Sequence, residues 1–524
     1  MKATLNNDKI IVDFDYNDVP TMMKVRELPG RKFDYPLWYV PITPEAIEKL
    51  QKWKFDVSED LLSFVQKANK KKVQTYLVEG LKGTPRQFQH EALTFIEYRK
   101  GKALITDEQG LGKTLEALMY VQRHRDKIPV VVVCPASLKM NWQKEIEKWI
   151  PEPNIEILKG TKKYQPKGDI LIINYDILWY WIYTLQNINP QILICDEFQK
   201  IKHDKPRRTK AVKRIAKEIP FFIGLSGTPI ENRPDEVFNA VEIAYPGLFE
   251  SRYAFRQMYC LPSKIGYKWD YKGQSNAEEL HEKLGLVMIR RLKKDVLKEL
   301  PDKTYSFVPM ELNNTKDYQE AERNFIAYAR TVMDEEKVKK ISLAEGLVKV
   351  EYLKQLAVKG KLKQCIDWIK DFLESEEKLI VFCTHRFVVD ELMDSFGDIA
   401  VKIVGGCTAK QKQEAENEFM TNDRIRLFVG NQASEEGLTL TVASHLAHLE
   451  LTWSPKSLDQ RTDRIHRISQ TKGVNIYYLL AKDTIEERIA KLLDKKRIII
   501  DAVLDGKETE QENLLHELMK TYLI

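Results

Sequence analysis

From about residue 81 onward, short unbroken apolar runs alternate with longer stretches whose apolar positions recur at helical spacing. One set of runs covers residues 103–106, 130–135, 170–175, 192–196 and 221–225, and a second covers 379–384, 401–404, 425–430, 445–451 and 474–479. Runs without polar alternation suit strands covered on both faces, and strands separated by helices suit a parallel sheet. The expected fold class is therefore α/β, with two doubly wound parallel-sheet lobes. Two stretches break the pattern. Residues 233–300 carry aromatics at helical spacing and residues 315–360 are charged and helical, so both are expected to be helical insertions projecting from the lobes. The first 80 residues form a separate small α+β unit, with strand-like runs and aromatics around Trp38. The expected organisation is an N-terminal domain over 1–80, a first lobe over 81–305, and a second lobe over 306–524 that ends in helices over about 484–521.

The sharpest chemical signal is Asp107-Glu108-Gln109-Gly110-Leu111-Gly112-Lys113-Thr114, placed after one apolar run and before a helical stretch. That context is what a phosphate-binding loop needs. Glycines let backbone N–H groups approach phosphates, and the helix N-terminus adds its dipole. Gln109, Gly110, Leu111, Gly112, Lys113 and Thr114 are thus candidates for holding ATP. Lys113 would reach the β/γ-phosphates and Thr114 would ligate Mg²⁺. The first glycine of the general pattern is replaced by Asp107. A second signal is the run ending in Asp196 and Glu197: one carboxylate would hold Mg²⁺ and the other would act as general base toward water. A third is Gln460–Gln470, where Arg464 and Arg467, three apart, would share a helical face and reach one γ-phosphate. An acidic turn or a solvated basic helix would be ordinary explanations of the last two taken singly. Their conjunction with the phosphate loop makes those explanations poor.

In order and spacing, these motifs resemble the SWI/SNF-type ATPases of helicase superfamily two, over roughly residues 81–505. Thr84–Gln89 looks like the glutamine motif, in which Gln89 would contact adenine. Cys134–Trp142 and Asn174–Asp176 look like DNA-contacting motifs of the first lobe, and Leu225–Asn232 like the motif linking hydrolysis to lobe movement. Met288–Leu297, followed by Leu300-Pro301, resembles a segment particular to this family. Ile380–His385, Glu436–Thr441, Trp453-Ser-Pro455 and the arginine element complete the set in the second lobe.

The resemblance implies two RecA-like lobes with ATP in the cleft between them. By it, Lys113, Glu197, Arg464 and Arg467 are catalytic, Gly437 also lines the nucleotide site, and Thr114 and Asp196 hold the metal. It also offers Ser137, Asn141, Asn174, Thr384, His385, Thr441 and Trp453 as nucleic-acid contacts. Two positions depart from the family: Gln199 stands where a histidine is usual, which leaves the tuning of DNA-coupled hydrolysis open, and Gln109 stands where methionine is common, expected to be harmless. The first 80 residues resemble the HepA-related (HARP) module of annealing helicases, through Pro29–Phe33, Trp38, Pro41, Trp53 and Phe55. On that reading, aromatics including Phe33, Tyr35, Trp38 and Tyr39, with Arg31, Lys32 and Lys70, Lys71 and Lys72, would address forked DNA. Packing as a plain capping subdomain is the equal alternative.

Composition adds bounds. The chain has 524 residues, 43% hydrophobic and 31% charged, so it has material for large cores. A net charge of +6 against 83 basic residues permits a nucleic-acid partner without announcing one. The six cysteines are too dispersed for a zinc knuckle or redox pair, which suggests a reducing, intracellular setting. That would be the cytoplasm or nucleoid of a prokaryote or phage host, or a eukaryotic nucleus. No apolar run approaches the roughly 20 residues of a membrane span, and no metal cluster or nuclease constellation is visible. The expected function is a DNA-dependent ATPase that translocates on double-stranded or forked DNA and remodels or reanneals it. The alternatives are an RNA-directed or strand-separating helicase, and a nucleotide-gated DNA scaffold. Glu197, Arg464 and Arg467 argue against the scaffold, which would not need them.

Overall fold

A computed structural model of the protein describes residues 1–6, 9–15, 17–28, 31–41, 44–59, 61, 76–230, 233–265, 268–271, 273–323, 345–435 and 437–493. Parts of the expected 315–360 insertion and of the C-terminal helices lie outside the described residues. So do Pro29, Gly30, Lys70, Lys71, Lys72, Glu231, Asn232 and Glu436.

The apolar runs become two parallel sheets. The first has seven strands in the order Met288–Ile289, Lys102–Ile105, Phe221–Leu225, Ile192–Asp196, Val130–Cys134, Ile170–Asn174, Ile155–Ile157. The second has six: Lys303–Met310, Val474–Ala481, His445–His448, Leu379–Phe382, Leu427–Gly430, Ala400–Ile403. Every pairing in both is parallel. The inner strands are buried along their length because helices cover both faces, which is why their sequences do not alternate. Each sheet accordingly has one apolar cluster on each side.

Four features depart from the sequence expectations. Lys303–Met310 is an edge strand of the second sheet, paired along its length with Val474–Ala481, so that sheet begins before residue 306. Its mixed pattern, with Tyr305 and Phe307 exposed, disguised it. Ile155–Ile157 extends the other edge of the first sheet unannounced. The 233–300 stretch is not a projecting insertion. Phe238–Ala244 packs on the first sheet, and Phe238, Phe249, Phe255 and Tyr259 belong to that lobe's core, each ring in edge or tilted contact with another. The stretch also supplies the strand Met288–Ile289. In the second lobe, the 29-residue helix Glu345–Leu373 packs against Thr315–Arg323 and covers the sheet.

The N-terminal residues form a five-stranded sheet with helices Val19–Val25 and Pro44–Lys52 around their own core of Ile10, Val12, Trp38, Val40 and Phe55. Trp38 is 6% exposed and therefore cannot stack on a base, whereas Tyr35 is 77% exposed.

Candidate active site

The phosphate loop joins Lys102–Ile105 to helix Lys113–Arg123. Gly110 and Gly112 both have φ of +88°, a left-handed conformation that a side chain would strain. A Cβ at Gly112 would also lie 2.6 Å from Gln89 Nε2. Lys113 Nζ donates to the carbonyl of Asp107 at 2.8 Å. Beside the loop lies a cavity of about 420 Å³ lined by Gln89, Gly112, Lys113, Thr114, Asp196 and Glu197 from the first lobe and Gly437, Arg464 and Arg467 from the second.

Gln89 is nearly buried. Its amide donates to the Leu111 carbonyl at 3.1 Å, and its carbonyl accepts from the Arg86 N–H at 2.9 Å, so it ties the 84–89 segment to the loop. Leu111 turns its side chain into a small cluster with Phe88 and Leu297. Asp107, standing where a glycine is usual, is fully buried and bonded to the Arg291 guanidinium, which also reaches Glu116 at 3.0 Å. Burial and the neighbouring Asp107 push the Glu116 carboxyl well above the usual range. Arg291 is a site residue that no sequence pattern singles out. The available signal was Asp107 itself, since an acid at the foot of a buried loop requires a cation.

Asp196 closes the central strand. Trp142 Nε1 donates to its Oδ2 at 2.8 Å, and the Tyr175 hydroxyl donates to its carbonyl at 2.7 Å. Burial and the adjacent Glu197 push Asp196 up to about 7. Glu197 holds φ +53°, a conformation rare outside glycine that aims its carboxylate at the cavity. Gln199, the departure from the usual histidine, donates to Glu197 and accepts from Ser226 Oγ at 2.6 Å. It therefore connects the general-base candidate to the Leu225–Asn232 motif. Trp142 is buried and so cannot stack on a base.

The arginines arrive differently from the helical-face expectation. Helix Pro455–Thr462 ends before them, and Arg464 and Arg467 sit in successive turns held by Arg464 N–H to Arg461 O and Gln470 N–H to Arg467 O. Buried Ile465 and the Gln470 side chain, bonded to three backbone carbonyls, pin those turns. The two guanidinium groups nevertheless converge on the cavity. Arg464 Nη2 lies 3.3 Å from Gln109 Oε1 in the phosphate loop, so Gln109 is an acceptor across the cleft. Arg467 Nη1 donates to Thr439 Oγ1 at 2.9 Å. Burial and the neighbouring Arg464 pull Arg467 down to about 9. Two guanidiniums held this close repel each other, and a polyphosphate is the natural counter-charge.

Of the nucleic-acid candidates, Ser137 and Thr384 are exposed just beyond the carboxyl ends of strands Val130–Cys134 and Leu379–Phe382. Asn141 instead lines the cavity beside the phosphate loop. Asn174 is buried, accepting from Lys139 Nζ at 3.0 Å and donating to Asp176 at 3.2 Å, so it positions Lys139 rather than presenting itself at the surface. Thr441 accepts from Ser469 Oγ at 3.2 Å, and the Trp453 ring lies under Lys354.

His385 is clamped between Glu351 and fully buried Glu450, which also accepts the Thr384 and His385 N–H groups. The carboxylates raise the imidazole to about 9. A folded-state value above the unfolded 6.5 means this stabilisation is complete below pH 6.5 and is lost as pH rises through 9. The melting temperature is expected to fall across that window, and less steeply in His385→Ala. Parallel pH–melting curves would show the assignment to be wrong.

The SNF2-related domain matches residues 88–367, and the helicase conserved C-terminal domain matches residues 360–469. The chain is 30% identical over 452 residues to the DNA annealing helicase and endonuclease ZRANB3 of Bos taurus, covering 83% of this chain and 42% of the relative. It is 31% identical to the SWI/SNF-related matrix-associated actin-dependent regulator of chromatin subfamily A-like protein 1 of Xenopus laevis, covering 78% and 43%. An uncharacterized ATP-dependent helicase of Mycoplasma pneumoniae is 27% identical over 82% of the chain and 43% of its own length. The chain thus spans about two fifths of the length of these curated relatives. Among solved structures, the Sulfolobus solfataricus SWI2/SNF2 ATPase core in complex with dsDNA is 25% identical, with a TM-score of 0.41 over 83% of this chain and 96% of that one. With the family's two domains matched across both lobes, the chain belongs to the SNF2-related, helicase-like ATPases and is an ATP hydrolase of two RecA-like lobes.

Proposed function

We propose that this ATPase translocates on double-stranded or forked DNA and remodels or reanneals it. One observation carries the reading. The two first-lobe segments offered as DNA contacts, 134–142 and 174–176, each send a buried aromatic donor, Trp142 and Tyr175, to Asp196 at the centre of the nucleotide site. A displacement of either segment by DNA is thereby felt at the hydrolytic carboxylates. The names of the relatives support the choice of DNA.

Within the site, Lys113 and the loop amides would grip the phosphates. Glu197 would orient water and take its proton, and Arg464 and Arg467 would neutralise charge on the transferred phosphoryl group. Thr114 and Asp196 would form a donor set suited to Mg²⁺: an oxygen-only pair whose carboxylate, disfavoured by burial and the adjacent Glu197, a cation would stabilise. Bound there, the ion supplies charge neutralisation at the β/γ-phosphates. Among the described residues no group of three or more His, Cys, Asp or Glu could hold a metal, and none is needed when phosphate and water complete the shell. Because residues from both lobes line the cavity, lobe closure completes it and hydrolysis loosens it, which alternates the grip on the track.

The test is ATPase rate with duplex, forked and single-stranded DNA and with RNA. Duplex or fork is expected to stimulate most, with a response that falls steeply as salt rises and is the same on two unrelated duplexes, since a moving motor grips the backbone. Strong sequence discrimination or a flat salt response would contradict translocation. Greatest stimulation by RNA would favour an RNA-directed helicase.

Among the described residues no helix is long and apolar enough to cross a membrane.

A further inference from the structure

The segment 288–297 has no task in the hydrolysis described above, yet it runs between the two halves of the site. Its strand Met288–Ile289 lies beside Lys102–Ile105, the strand that carries the phosphate loop. Arg291 then fastens it to Asp107 and Glu116 at the base of that loop. Two residues on, Lys293 crosses to the second lobe. It is 3% exposed, and its Nζ lies 2.5 Å from Asp463 Oδ1, 2.7 Å from the His466 carbonyl and 3.9 Å from Glu108 Oε1. Its backbone N–H donates to Glu108 Oε2 at 2.7 Å.

Asp463 is itself buried, and its carbonyl accepts from Arg467 Nε at 2.7 Å. A Cβ on Gly110 would sit 3.3 Å from Lys293 Cε and 3.2 Å from Arg467 Cγ, so loop, lysine and arginine meet at one point. The path reads Glu108, Lys293, Asp463, Arg467. An ammonium this deep is costly unless its bonds are satisfied, and replacing a buried ion pair by apolar groups is often neutral or better for stability. Stability alone therefore does not account for the pair. Its placement does.

We propose that Lys293 is a positioning residue for the arginine element: by holding Asp463 and the His466 carbonyl against Glu108 of the phosphate loop, it sets Arg464 and Arg467 at the height where they meet the γ-phosphate. The inference rests on the reading of those arginines as catalytic. Lys293 touches neither Asp196 nor Glu197 and acts through the arginines. Its effect therefore falls on kcat and leaves nucleotide affinity near normal.

The experiment uses the full chain with Lys293→Met, Arg467→Ala, the combination of the two, and the paired apolar variant Lys293→Met/Asp463→Leu. kcat, ATP affinity and melting temperature are measured for each. Lys293→Met is expected to lose about 10²-fold in kcat, the scale of a misplaced catalytic group. Adding it to Arg467→Ala is expected to cost nothing further, because the two act as one unit. The paired apolar variant is expected to regain the melting temperature lost in Lys293→Met and yet stay slow, since the link to Glu108 is still gone. Recovery of kcat in that variant would overturn the proposal, showing that only an unpaired buried charge had been harmful. Losses that add fully in the combination would overturn it as well. A collapsed kcat in Arg467→Ala beside a normal one in Lys293→Met would sink the positioning role alone. A normal kcat in Arg467→Ala would remove the catalytic reading and this inference with it.

Discussion

Arg467→Ala or Arg464→Ala is expected to lower kcat by about 10³-fold or more while ATP binding stays near normal, the scale at which an arginine finger contributes. The separation of effects follows from where the groups sit. The proposed phosphate grip belongs to the first lobe, through Lys113 and the loop, whereas both arginines come from turns of the second lobe. Removing one leaves the loop intact for binding and takes away a charge that matters most when the transferred phosphoryl group is loose. Lysine is expected to rescue poorly, because a point charge cannot match the planar fork that now spans Gln109 or Thr439 and the cavity. The measurement is kcat beside an equilibrium Kd for ATP. Loss of DNA binding with normal basal turnover would reassign the pair to the phosphate backbone of the track.

Lys113→Ala and Glu197→Gln are expected to abolish turnover by opposite routes. Without Lys113 the ammonium proposed to grip the phosphates is gone, and nucleotide binding weakens along with hydrolysis. Glu197→Gln keeps the shape, the left-handed backbone and a bond to Gln199, but loses the basic oxygen, so ATP is expected to bind and stay. Trapped nucleotide recovered after gel filtration as ATP rather than ADP distinguishes the two. Wild-type turnover in purified Lys113→Ala would sink the assignment of the site. Gln199→Ala offers an intermediate case: Glu197 remains, but its link to Ser226 is cut, so DNA stimulation is expected to fall more than the basal rate.

Local patterns in the chain foretold much of this. Unbroken apolar runs could be read as buried parallel strands because burial on both faces removes any need for polar positions. The phosphate loop was legible because its parts are contiguous: two glycines, a lysine and a threonine within a few residues. Edge elements were harder. Lys303–Met310 keeps one face open, and its exposed Tyr305 and Phe307 break the pattern that marks an inner strand. The aromatic stretch after residue 233 looked like an insertion because nothing local says that Phe238 and Phe255 are packed into the first lobe's own core.

Motif order and spacing alone pointed to the family and to the strands that carry the proposed nucleotide chemistry, since each of those depends on neighbours in the chain. What they could not give was the partner of each isolated charge. Asp107 and Arg291 are 184 positions apart, Lys293 and Asp463 are 170, and Gln199 meets Ser226 only when adjacent strands align. A lysine or an acid reads as solvated until the fold buries it, because desolvation belongs to the surroundings and not to the residue. Tertiary structure alone decided which charges were forced to find each other, and so how the phosphate loop is joined to the arginines that close over it.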